Sequence, residues 1–393
     1  MYLHMDHINK GLTKAVILSI PVHSMSTISL PKSLLDELDK ISKSFLWGST
    51  VEKKRQHLLS WNRICRPKSE GGLGIRSARE MNKALLAKLG WRLLKDKSSL
   101  WVQLLRSKYK VTEVDDPRWA VVKGHWSSTW RSICVGMREV VIPGLSWVIG
   151  DGKKTKFWKD KWLMSMALEE CVTAPLPAGA EELRVCDLWE IGFGLRLDRI
   201  TQYVADEVRL RLAAVVVDEV TGARDRFSWN GSLDGQFSVR SAYRVLTTDD
   251  SPKQDLRKLF DSVWKVVAPE RVKIFLWLGV NQVIMTNMER QRRHLSDSGI
   301  CQVCKGGEDT ILHVLRDCPA MYGLWLRIIP RRRRTTFFTM SLLEWVYDNL
   351  RDHKGVWESP WSTVFSMAVW WGWNGDVDMC LERREGAGTE SAS

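Results

Sequence analysis

Four residues in the last quarter of the chain have the types and spacing to hold a metal ion. Cys301 and Cys304 are separated by two residues, Cys304 and His313 by eight, and His313 and Cys318 by four. Cys-x2-Cys followed by His-x4-Cys supplies three thiolates and one imidazole, a donor set that satisfies tetrahedral Zn2+ and leaves no position open. Lys305-Gly306-Gly307 follows the first pair and supplies the permissive backbone that a tight two-sulfur turn needs. Asp309 or Thr310 is placed to cap a helix carrying His313, and Pro319 should break that helix just after Cys318. Chance cysteines of a reduced core are the competing reading, and four ligands within 18 residues weigh against it. A filled ligand set points to structural zinc. Hydrolytic zinc would need a neighbouring general base, and none is evident.

Charge marks a second place where chemistry can act. Residues 1–110 contain 21 Lys and Arg against 8 Asp and Glu, so this quarter carries the whole formal charge of +13. The other 283 residues are balanced, with 38 basic and 38 acidic groups. Such asymmetry suits a polyanionic partner, and RNA or DNA is the commonest one; a merely soluble basic surface is the plainer alternative. The candidate phosphate contacts are Lys53, Lys54 and Arg55 in a loop, and Lys88, Arg92 and Lys95 along a helix. No catalytic residues are assigned.

The elements that must position these groups are mostly helical. Pro31 opens a helix in which Leu34, Leu38, Ile41 and Phe45 form one apolar stripe, a seam more often internal core than partner surface. Gly48 closes it, and a Pro/Gly-rich link over 66–74 leads to a helix over 77–95. On that helix Leu85, Leu86, Leu89 and Leu93 share an arc, with the basic strip at its edge. Residues 146–152 and 153–158 read as two strands around a Gly-Asp-Gly turn, and 226–229 with 236–239 as a second hairpin followed by a helix from Ser241. Within 163–225 a Pro/Ala-rich stretch, Thr173–Ala180, precedes an expected helix. An apolar helix runs on from Pro269, and Thr286-x-x-Glu289 has the form of a capping box. The fold class expected is mainly α with small β hairpins (α+β). Its parts are a basic helical region over 1–110, an α+β connecting region over 111–235, a helical zinc-binding domain over 236–330, and a partly disordered tail over 331–393.

Composition excludes several classes. An apolar fraction of 44% with 27% charged residues is that of a globular protein. The 21 tryptophans do not cluster, which favours core filling over base-stacking platforms. The longest apolar stretches, near Ala15–Ile20 and Val364–Trp373, fall short of the ~20 residues that span a bilayer, so no membrane partner is expected. The N-terminus lacks a secretory pattern. Cys65, Cys134, Cys171 and Cys186 show no framework spacing and Cys380 lies in a polar tail, which fits reduced thiols in nucleus or cytoplasm.

An ordered series of motifs adds a resemblance. Phe237–Tyr243, Trp264, Pro269–Trp277 and the four ligands resemble the reverse-transcriptase zinc-binding domain of plant non-LTR (LINE-type) retroelements. Ile20–His23, Ser44–Gly48, Pro67–Gly74 and Gly150–Gly152 with Phe157-Trp158 resemble the region that follows the polymerase palm in that family. The likeness covers about residues 10–372. It implies a thumb-like N-terminal part, structural zinc and a nucleic-acid partner. In the family an aspartate-bearing palm precedes this region and an RNase H domain usually follows it. Polymerases hold Mg2+ with clustered carboxylates, typically at an aromatic-x-Asp-Asp turn. Here the Asp-Asp pairs are Asp115-Asp116 and Asp249-Asp250, which read as loop acids, and Asp376 with Asp378 cannot alone form an RNase H set. The expectation is therefore a non-catalytic, nucleic-acid-binding fragment. The alternatives are a degenerate remnant without selected function, or a part of an RNA-directed DNA polymerase completed by other chains.

Overall fold

The computed structural model describes residues 7–111, 126–218, 221–247, 254–351 and 360–375. Helices dominate. In chain order they are α1 (His7–Leu12), α2 (Val22–Met25), α3 (Lys32–Leu46), α4 (Trp61–Cys65), α5 (Ala78–Lys95), α6 (Leu100–Lys108), α7 (Ser128–Gly136) and α8 (Asp206–Ala213). Then come α9 (Val239–Thr247), α10 (Gln254–Lys265), α11 (Glu270–Val280), α12 (Asn287–Arg292), α13 (Pro319–Ile328), α14 (Arg331–Thr339), α15 (Leu342–Leu350) and α16 (Trp361–Asn374). Strands β1 (Leu145–Val148) and β4 (Arg226–Trp229) form one antiparallel pair, and β2 (Trp189–Glu190) and β3 (Gly194–Leu195) another. The class is mainly α with small two-stranded sheets, as the sequence implies.

The described residues divide into two compact units, each drawn from non-consecutive stretches. One takes Met1–Ile20, Leu35–Ala78 and Asp249–Ser393; the other takes Pro21–Leu34 and Arg79–Thr248.

In the first unit α10, α11, α13, α14, α15 and α16 close around a core with Leu46, Trp47, Ile64, Leu73 and Ile75. Its centre is aromatic: Trp325, Trp345 and Phe365 are fully buried beside Phe337, with ring centroids 4.9–5.9 Å apart. This corrects the expected tail. Residues 331–350 and 361–374 are helices whose Phe337, Trp345 and Phe365 fill that core, because the arginine run 331–334 only opens a helix whose inner face is apolar. Arg333 pairs with Asp348 at 2.9 Å, and Arg334 donates to the Ile329 carbonyl at the end of α13. The polar stretch 376–393, like Cys380, Asp376 and Asp378, lies outside the described residues.

Helix α3 follows Pro31 as expected but turns a different face inward. Leu35, Ser42 and Leu46 are buried, whereas Leu34 and Ile41 are about half exposed. At ~100° per residue the inward line 35, 39, 42, 46, with Asp39 half-buried, is a helical face of its own. It carries Asp39, whose carboxylate accepts the Ala78 N–H at 2.7 Å and the Ser77 hydroxyl at 2.9 Å, capping the start of α5.

The turn 67–74 is clamped to α10 and α11. Trp277 Nε1 donates to the Gly71 carbonyl at 2.8 Å, and Asn281 holds both that carbonyl and the Arg63 guanidinium. Gly71 sits at φ +87°, and a Cβ there would lie 2.7 Å from the Phe260 ring. Gly72 is as constrained, since its Cβ would fall 2.0 Å from the Arg66 carbonyl oxygen.

The second unit has two apolar clusters. One joins α5, α6, α7 and α9 through Trp91, Trp130, Cys134 and Trp229; the other surrounds Phe157, Trp158, Leu188 and Leu212. The expected hairpin over 146–158 does not form. Strand β1 pairs instead with β4, in register Leu145↔Trp229 to Val148↔Arg226. The cause is Asp225, buried beside the turn. Its two oxygens accept the N–H groups of Gly150, Gly152, Lys154 and Thr155 at 2.8–3.1 Å and the Thr155 hydroxyl at 3.0 Å. Residues 150–155 wrap around this carboxylate and cannot run back along β1. The second expected hairpin also fails beyond β4. Ser238 Oγ accepts the Ser241 N–H, and α9 has already begun at Val239. Between 163 and 205 the chain is short turns and the β2–β3 hairpin, and the expected helix is confined to α8.

Candidate metal centre

The four sequence-predicted ligands come together in the first unit. The ligand atoms of Cys301, Cys304, His313 and Cys318 all lie within 4.8 Å of one another. Cys301 and Cys318 are buried and their sulfurs are 4.0 Å apart; Cys304 and His313 are half-buried, with Sγ to Nε2 at 3.3 Å. A zinc ion bonded to sulfur at ~2.3 Å and nitrogen at ~2.0 Å in a tetrahedron needs ligand separations of roughly 3.5–3.8 Å. The 3.3 and 4.0 Å separations bracket that range, and the donor types suit the ion.

Local sequence explains the arrangement. Backbone hydrogen bonds from Cys301 N to the Gly307 carbonyl and from Lys305 N to the Cys301 carbonyl, both 2.9 Å, close the turn that carries the first two sulfurs. Lys305 is left-handed at φ 55°, and the Gly306 N–H points to Cys304 Sγ at 3.5 Å. Gly307 leaves room for the imidazole, since a Cβ would stand 3.2 Å from His313 Cε1. Thr310 performs the capping, with Oγ1 accepting the His313 N–H at 3.1 Å. Asp309 does a different job, accepting the Asn287 N–H at the start of α12. From His313 the helix widens by a residue, so the Cys318 N–H reaches back to the His313 carbonyl at 2.7 Å. Pro319 then starts α13 in a new direction.

Without metal the thiols respond to their surroundings in opposite ways. Burial pushes Cys318 up to about 11, with the Cys301 and Cys304 sulfurs adding to the rise. The Gly306 N–H, followed by the neighbouring thiols, holds Cys304 below its ordinary value. Zinc needs all three as thiolates, so its binding releases protons. Four protein ligands fill the tetrahedron, which makes the ion a fold-holding one.

Supports around the centre come from residues that sequence reasoning did not single out. Arg316, only 5% exposed, pairs with Asp317 at 2.6 Å and donates to the Met340 carbonyl at 2.7 Å and the Phe337 carbonyl at 3.3 Å. Trp325 Nε1 donates to the Leu315 carbonyl at 2.9 Å. The ligand-bearing turn is thereby tied to α13 and to the end of α14. An arginine between two ligands was the available signal, and its burial was invisible without the tertiary fold.

The predicted phosphate contacts divide between the units. Lys53 and Lys54 are exposed in the loop after α3, in the first unit. Arg55 is half-buried, its N–H bonded to Ser49 Oγ at 3.1 Å. Lys88, Arg92 and Lys95 are exposed along α5, in the second unit. Arg92 faces Asp96 at 3.9 Å and lies over the Trp101 ring; Lys95 lies over Trp91. Partial desolvation, then the nearby Arg226, lowers the Lys95 pKa. Among the described residues the group of three or more His, Cys, Asp or Glu placed to hold a metal is the Cys3His set. Asp115-Asp116 and Asp249-Asp250 lie outside the described residues.

Comparison with known proteins agrees with this geometry. The family of zinc-binding domains in reverse transcriptase matches residues 237–325, which include all four ligands. An Arabidopsis thaliana protein named for ribonuclease H is 55% identical over 362 residues, 92% of this chain, and the chain spans 58% of that relative. An uncharacterized mitochondrial protein of Arabidopsis thaliana is 36% identical over 152 residues, 37% of this chain and 94% of its own length. The chain belongs, with these relatives, to a family of retroelement-derived reverse-transcriptase regions, and within it this chain carries a matched zinc-binding domain with its ligand set assembled.

Proposed function

We propose that this chain is a non-catalytic, nucleic-acid-binding part of a plant non-LTR (LINE-type) retroelement reverse transcriptase, acting in the nucleus or cytoplasm. The observation that carries the reading is the basic first quarter: net charge +13 within residues 1–110, with Lys53, Lys54, Lys88, Arg92 and Lys95 all exposed. Exposed ammonium and guanidinium groups recognise phosphate by charge and carry no base preference, so RNA and DNA backbones are both suitable partners. Zinc holds the fold and takes no part in chemistry. The test is fluorescence anisotropy of the full, zinc-loaded chain with labelled RNA and DNA oligonucleotides. Affinity should fall steeply between about 50 and 200 mM salt, because each phosphate contact releases counterions. No binding at low salt, or binding indifferent to salt, would sink the proposal.

The name of the longer relative favours a second reading, in which ribonuclease H or polymerase chemistry belongs to the parent protein. That chemistry needs clustered carboxylates around Mg2+. Primer extension, or cleavage of an RNA–DNA hybrid, by the purified chain with Mg2+ would establish it over the first.

A further inference from the structure

Two lysines share one indole in the first unit, and a third lies near enough to repel them. Lys10 is only 7% exposed; its Nζ lies 4.5 Å from the centroid of the Trp264 ring and 3.6 Å from a Glu270 oxygen. Lys68, exposed in the clamped turn, places its own Nζ 4.5 Å from the same ring. Lys14, about one helical turn beyond Lys10, is exposed, and its Nζ donates to the Leu73 carbonyl at 2.8 Å. Glu270 is shared, since Lys273 also approaches it at 3.3 Å.

This is an unusual way to arrange ammonium groups. A buried lysine normally has a dedicated carboxylate, and surface lysines normally splay apart. Here one partly shared carboxylate answers Lys10, and an indole face gives the rest of the compensation. The strain shows in the acid–base balance. Burial, then Lys68 and Lys14, push the Lys10 pKa down to about 8 against the pull of Glu270. Burial, then Lys68 and Arg76, lower Lys14. An added anion would relieve burial and repulsion together. Because the charges are partly desolvated, salt screens them less than the exposed strip on α5.

We propose that Lys10, Lys14 and Lys68 form a phosphate-binding site that takes a phosphodiester of a nucleic-acid backbone. Lys14 and Lys68 reach its oxygens, and Lys10 lies among them as a buried source of positive field. The inference rests on the nucleic-acid reading above and adds a site outside the six residues that the sequence singled out.

The experiment uses the full, zinc-loaded chain and a fluorescent single-stranded RNA oligonucleotide. Lys14→Gln with Lys68→Gln should weaken binding about tenfold and reduce the salt slope by about 0.7 to 1.4, the loss of one to two phosphate contacts. Reductive methylation of the wild-type chain, read by peptide mass spectrometry, should show the exposed Lys14 and Lys68 protected by the RNA. That footprint needs no variant, so it decides the matter even if the double variant melts early. Wild-type binding with Lys14 and Lys68 unprotected overturns this site and leaves the general reading standing. Protection by inorganic phosphate alone, without RNA binding, overturns the nucleic-acid source. A wild-type chain that binds no oligonucleotide at low salt overturns both.

Discussion

At the scale of single residues, two of the centres on which donors converge among the described residues can be tested directly. The first is the zinc site, where three sulfurs and a nitrogen converge on a cation. Cys301→Ser or Cys318→Ser should drop the metal content of purified protein from about one zinc per chain to a substoichiometric level, since either change leaves three ligands where structural zinc requires four. Elemental analysis checks this, and full retention of zinc in both variants would refute the ligand assignment. The second is Asp225, where four backbone N–H groups converge on an anion that the chain itself supplies. Asp225→Ala should destabilise the second unit by about 2–4 kcal/mol, because buried donors lose a charged acceptor. The sign of its pH dependence is fixed. Burial raises the Asp225 pKa, but the N–H groups of Gly150, Lys154, Thr155 and Gly152 outweigh it and leave the folded value depressed. The carboxylate therefore contributes fully above its unfolded value, near ~3.9, and its contribution fades as pH falls through the lower folded value. Denaturant melts of wild type and Asp225→Asn at pH 7 and pH 3 should show the gap narrowing in acid.

At the scale of elements, the clamp on residues 67–74 is the firmest place to test packing. Gly71→Ala combines a left-handed φ with a contact to the Phe260 ring, and should cost at least about 2 kcal/mol in a urea melt. Gly74→Ala, also left-handed but with only the tip of Lys14 within 4 Å, should cost about 1 kcal/mol. Equal costs would mean that packing adds nothing at Gly71. What could be read from sequence follows the same division between local and distant causes. The zinc ligands were legible because all four lie in one short stretch, and α5, α11 and α12 because their caps and apolar periods are local. The inner face of α3 was misread because it carries Asp39 and Ser42, while the neighbouring face carries Leu34 and Ile41. Polarity pointed one way, and the need to cap α5 decided the other. The hairpins failed for a similar reason: the partner of β1 lies 82 residues away at Ser146↔Ser228, and the carboxylate that bends the chain is as remote.

At the scale of the whole molecule, zinc and charge act on different things. Chelation should raise amide hydrogen exchange around residues 299–318 and, through Arg316, at the end of α14, while α7 in the second unit keeps its protection. Faster exchange in α7 to the same degree would show that zinc supports the whole chain and not its neighbourhood. Raising salt should do the reverse, weakening phosphate binding while leaving exchange at the zinc turn unchanged. The discontinuous first unit also has a consequence in time. Leu46, Trp47, Ile64, Leu73 and Ile75 leave the ribosome well before the helices that cover them, which begin at Gln254 and end at Asn374. At ~5–20 residues per second the gap is on the order of tens of seconds. Through that interval the second unit can complete itself while these apolar side chains stay uncovered, so a nascent chain halted before residue 254 should be a client of chaperones, and one carried to residue 375 should not.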